Sequence, residues 1–124
     1  MTVSSMTNWF TATLERQANT TSVNGAKSLV FSTANRTADG VPTSVSATFQ
    51  VASSQEKVSY GIKETDMVWR MYTASDPELI TEDRVSWTDS GSVARVCRVV
   101  GPSYDMAGKA TVWKTLVNEM KNRS

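Results

Sequence analysis

Alternation with a period of two runs through most of this chain. Between residues 44 and 51 it is complete: Val45, Ala47, Phe49 and Val51 alternate with Ser44, Ser46, Thr48 and Gln50. Successive side chains of a strand point to opposite faces, so this segment predicts a strand with one buried and one wetted face. Residues 9–16 repeat the pattern, with Phe10, Ala12 and Leu14 on one side and Thr11, Thr13 and Glu15 on the other. Residues 66–73 set Met67, Trp69 and Met71 on one face, and residues 28–33 and 111–117 give further strands. Residues 84–87 and 93–100 flank the polar turn Thr88-Asp89-Ser90-Gly91 and predict a hairpin.

One stretch departs from this period. Ser53-Ser54-Gln55-Glu56 has the spacing of a capping box and predicts a short helix over 56–62, curtailed by Gly61. The tail 118–123 could form a second helical end. Residues 35–43, with Asp39-Gly40 and Pro42, and residues 101–109, with Gly101-Pro102 and Gly108, have the composition of loops. The expected fold is mainly β: a small antiparallel β-barrel or sandwich of about six or seven strands with one short helix and long loops. It is expected to be a single domain over residues 1–124, with an N-terminal arm (1–6) and a polar C-terminal tail (118–124).

Composition narrows the functional classes. A chain of 124 residues with 40% hydrophobic and 20% charged residues suits one modest core. A net charge of +1 argues against a dedicated nucleic-acid binder. Histidine is absent, which removes Ser-His-Asp and Cys-His chemistry and His-ligated metals. The single cysteine, Cys97, allows no intrachain disulfide and reads as a buried small apolar side chain, with Arg95 on the same strand face. Ser54 and Lys57 match Ser-x-x-Lys without its companion motifs, and Glu64, Asp66, Glu78, Glu82 and Asp83 read as solvated strand ends. The chain is therefore expected to be no enzyme, with no catalytic residue, cofactor or metal. No apolar run nears the ~20 residues that span a bilayer, so no membrane partner is expected. The N-terminus lacks the pattern of a secretory signal, and the sequons at Asn19, Asn35 and Asn122 read as coincidence.

Trp9, Trp69, Trp87 and Trp113 lie on separate predicted strands. With Arg70, Arg84, Arg95, Arg98, Lys109 and Lys114 they could build a stacking platform for single-stranded nucleic acid. Acidic residues offset these cations, so core and subunit-interface packing is the preferred reading.

The order of parts carries a resemblance. The opening strand Met6-Thr-Asn-Trp-Phe-Thr-Ala-Thr-Leu-Glu-Arg-Gln17 is followed by a loop with Gly25. Val45-Ser-Ala-Thr-Phe-Gln-Val-Ala-Ser-Ser-Gln-Glu56 runs from strand into helix. Leu79-Ile80-Thr81-Glu82-Asp83-Arg84-Val85 leads into the hairpin, which leaves by Val99-Val100-Gly101-Pro102 toward a last strand around Trp113. In this arrangement residues 6–118 resemble the head-closure (stopper, or head-tail joining) proteins of long-tailed bacteriophages. The segment 35–43 is longer than the family pattern.

The resemblance implies a structural virion protein, assembled in the host cytoplasm. Copies would form a homo-oligomeric ring between portal or adaptor and the tail terminator or tail tube. The ring would close the head after packaging and attach the tail, with DNA passing through or blocked in the lumen. It also implies a loop that gates the lumen, for which Asn35, Arg36, Thr37, Ala38, Asp39, Gly40 and Val41 are the first candidates. Ser103, Tyr104, Asp105, Met106 and Lys109 are the candidates for a second, interface loop. The alternatives are a tail terminator, another virion ring or coat protein, or a nucleic-acid-binding β-barrel.

Overall fold

A strand with one apolar face must bury that face and also find partners for its main chain. The computed structural model describes residues 9–21, 27–63, 66–106, 108 and 112–120, with the backbone alone along 18–21 and 27–30. In chain order the elements are β1 (Phe10–Thr21), β2 (Lys27–Ser32), α1 (Thr33–Ala38), β3 (Ser44–Val51) and α2 (Ser54–Ser59). They continue with β4 (Val68–Thr73), β5 (Arg84–Thr88), β6 (Ala94–Val99), β7 (Tyr104–Asp105) and β8 (Trp113–Glu119).

All pairings are antiparallel, in the order β1-β3-β4-β8-β6-β5, and β5 pairs β1 again. These strands therefore close a barrel, and closure removes the exposed edges of an open sheet. Two strands lie outside it. β7 pairs β8, and β2 pairs the second half of β1, from Arg16↔Ser32 to Thr21↔Lys27. β1 thus serves the barrel over residues 10–15 and then runs on as one side of a two-stranded ribbon.

Ala12, Leu14, Ala47, Met71, Val85, Cys97, Val99 and Val117 fill the barrel. The alternation read from the sequence sends Phe10, Ala12 and Leu14 inward as expected, and Cys97 is buried. Outside the wall, Ala52, Val68 and Leu116 form a second cluster with Ile62 and Val100, where α2 and its flanks cover β4 and β8. The expected capping box is present: Ser53 and Glu56 exchange side-chain and backbone bonds at the start of α2.

The registers give the barrel two unlike ends. At one lie the start of β1 and the β5–β6 turn, with the end of β8 beside the start of β4. At the other, the loop 74–83 folds across the opening, burying Pro77 and Leu79. Asp83 closes that end. It is 2% exposed and shares its carboxylate between Arg36, itself 0% exposed, and Arg16. Arg36 Nη1 donates at 2.9 Å, and Arg16 Nε and Nη2 donate at 3.0 Å. The remaining Arg36 donors reach the carbonyls of Pro42, Pro77 and Glu78. The Ile80 N–H also donates to Asp83. Burial pushes the Arg36 guanidinium down from its ordinary range against the pull of Asp83, while the hydrogen bond to Asp83 raises that of Arg16. Glu78 (φ 54°) and Glu82 (φ 79°) stand in the left-handed region on either side, a cost that this network offsets.

Three sequence expectations need correction. The loop expected at 35–43 begins as α1: Ser32 caps the helix by accepting from the Asn35 N–H. Thr, Asn and Ala give that segment no apolar periodicity, and its anchor is the charged Arg36, which sequence patterning assigns to solvent. The segment 101–109 contains the short strand β7. The tail expected as a helical end continues β8 to Glu119, and residues 121–124 lie outside the described residues.

Asp83→Asn removes the charge that balances two arginines, one of them fully buried. Urea unfolding is expected to show a loss of about 3–5 kcal/mol, as for one partner removed from a buried ion pair. A loss below about 1 kcal/mol would contradict this role for the network.

Candidate functional site

The residues first expected at the gate do not form a free loop. Asn35 donates its side-chain N–H to the Arg16 carbonyl, and Arg36 is locked beneath Asp83. Thr37 turns back onto the Thr33 carbonyl, and Asp39 pairs with Arg16 at 2.9 Å. Ala38 and Gly40 are exposed, and the Val41 N–H donates to the Arg36 carbonyl. The second group is more open. Tyr104 and Met106 are exposed, Asp105 caps the Gly108 N–H, and Ser103 bonds Thr115. Lys109 lies outside the described residues, as does Glu64.

The end of the barrel opposite Asp83 is aromatic and charged. Phe49 stacks on Trp87 with ring centroids 3.6 Å apart, and Trp69 meets Trp87 edge-on at 5.8 Å. Arg95 points inward here, 5.5 Å from the Trp69 ring, and pairs with Asp89 and Glu119. The Trp69 indole N–H donates to the same Glu119. The Val93 N–H, ahead of Arg95, holds the Asp89 carboxyl below its ordinary range. Val51, Met67 and Val93 are exposed at strand ends around this opening. Val51 and Met67, read as core-facing from alternation alone, mark where burial stops.

The described cations considered for nucleic-acid contact are engaged elsewhere. Arg70 and Lys114 pair with Glu56, Arg95 with Asp89 and Glu119, and Arg98 with Glu82. Arg84 lies over the Phe31 ring at 3.6 Å. Trp69 and Trp87 pack in the barrel core, which withdraws two of the four tryptophans from any outward stacking surface.

An open pocket of about 530 Å3 lies between α2, β4, β7 and β8. Glu56 stands in it between Arg70 and Lys114, with the Lys114 ammonium 2.8 Å away. Burial alone would raise the Glu56 carboxyl, but hydrogen bonds from Arg70, Lys114 and the Ser53 backbone hold it down at about 2. Alternation could not show that residues of a helix and two strands converge here; the capping box was the sole visible part.

The β1–β2 ribbon is the remaining feature. Among the described residues β2 has β1 as its sole strand neighbour, so its outer edge offers free main-chain groups.

No family model matches this chain, and no curated protein matches it. Among solved structures, the solution structure of protein SF1141 from Shigella flexneri 2a is similar in fold. The TM-score is 0.65 over 92% of this chain and 94% of that one, at 16% identity. A likeness at that identity is one of fold, and it supports the small β-barrel.

The Glu56 pKa lies below its ordinary 4.5, so its contribution to stability is complete above that value and is lost as pH falls toward about 2. The difference in urea-unfolding free energy between the natural chain and Glu56→Gln is expected to be on the order of 1–3 kcal/mol at neutral pH. It should shrink toward zero as pH falls from 4.5 to about 2. A difference that stays constant across that window would contradict the assignment.

Proposed function

We propose that the chain is a structural subunit of the bacteriophage neck. Its copies form a ring between portal or adaptor and tail, close the head after packaging, and offer the tail its attachment site. The observation that carries this reading is the β1–β2 ribbon, a strand pair continued from β1 past the part that serves the closed barrel, whose outer strand pairs with no other strand among the described residues. A closed barrel has no edge of its own to share, so a subunit that assembles through its main chain needs such an extension. A head-to-tail contact between one patch and a different patch on the next copy closes into a ring when the rotation allows.

Two further features support the reading. A subunit held between unlike neighbours needs unlike ends. One end here is sealed by the loop 74–83 and Asp83, while the other presents Val51, Met67 and Val93 around Arg95. Arg70, Arg98 and Lys114 are tied to carboxylates, which leaves less unpaired positive charge on a wall past which DNA must slide. In this reading residues 35–41 belong to the fixed wall, and residues 103–106 are the exposed candidates for contact with a neighbour. The same pairing of cations weighs against the nucleic-acid barrel.

Replacing residues 18–30 by Asn-Gly keeps the Arg16↔Ser32 and Gln17↔Phe31 pairs and removes the rest of the ribbon. Sedimentation of the chain mixed with portal complexes is expected to give rings for the natural chain. The shortened chain should give a folded monomer, with an unfolding midpoint close to the natural one. Ring assembly by the shortened chain would overturn the reading.

A further inference from the structure

The pocket beside α2 has a charge and a rim that select a ligand class. Its lining includes two cations, Arg70 and Lys114, and one carboxylate, Glu56, so it retains a net charge of one positive unit. Ser53, Tyr60 and Tyr104 add hydroxyl groups at its walls. Two tyrosines of the lining, Tyr60 and Tyr104, are close to half exposed. Tyrosine and arginine around a partly desolvated centre are residue types enriched where proteins bind one another.

We propose that this pocket is a docking site for an acidic segment of a partner polypeptide. A partner carboxylate enters beside Glu56 and takes donors from Lys114 and the pocket hydroxyls. Its apolar neighbours pack on Tyr60 and Tyr104. The net positive charge and the two tyrosine rings suit a carboxylate flanked by hydrophobic side chains. Gly101 lies against this wall, where an added methyl group would stand 3.4 Å from the Tyr60 ring, so the hairpin exit sets the position of that tyrosine. The site is separate from the β1–β2 ribbon, and the proposal stands or falls independently of the ring.

The test is an NMR titration of the isotope-labelled chain with acetyl-Leu-Glu-Leu-amide and with its Gln counterpart, which differs only in charge. The Glu peptide is expected to shift resonances of α2, β7 and β8, and the Gln peptide to bind roughly five- to tenfold more weakly. Lys114→Met and Tyr104→Ala should each weaken binding of the Glu peptide, and Tyr104 is exposed enough for its replacement to leave the fold intact. Glu56→Gln, confirmed as folded by its spectrum, should bind the Glu peptide more tightly, because the pocket then carries two positive units. A purely structural role for Glu56 predicts no such gain. Equal shifts from the two peptides, shifts away from the pocket, or no shifts at all would overturn the proposal.

Discussion

Asp83 holds together three parts of the chain that are distant in sequence. It lies just before β5, accepts from Arg16 in β1 and Arg36 in α1, and fixes the loop 74–83 through the Ile80 N–H. Barrel closure depends on the β1–β5 pair beside it, which spans only Thr13↔Ser86 to Glu15↔Arg84. So short a seam contributes few main-chain bonds, and the shared carboxylate reinforces it at the point where the sheet would otherwise open. The buried charges are tolerated because each donor has an acceptor: Arg36 is surrounded by Asp83 and three carbonyls.

The same device recurs elsewhere on the molecule. Glu56 takes two cations on the outer wall, and Arg95 takes two carboxylates at the aromatic end. In each of these three places one charge is shared between two of the other sign. The Asp83 group seals an end and the Arg95 group caps the aromatic core. The Glu56 group pins a six-residue helix that has little core of its own. Among the described residues, the outer edge of β2 and the exposed Val51, Met67, Val93, Tyr60 and Tyr104 are left to meet partners.

The fold was readable wherever one face of a strand is buried. β3 spans residues 44–51 as its alternation predicts, and the hairpin of β5 and β6 falls where its polar turn places it. Asp89 explains that turn: its carboxylate accepts from the Gly91 and Val93 N–H groups. Alternation failed where burial is polar. Arg36 and Asp83 are among the most buried residues, yet in sequence they resemble solvated positions. The pair depends on a contact 47 positions apart, which no local pattern encodes. The pocket was hidden for a related reason, since Glu56, Arg70 and Lys114 meet only after β4 and β8 have paired.

The most direct test of the account is cryo-EM of phage particles that carry a tagged copy of this chain. The account predicts tagged density in a closed ring between portal and tail, with the β1–β2 ribbon of each copy laid against its neighbour. Tag density elsewhere on the virion, or no tag density on the particle at all, would contradict it.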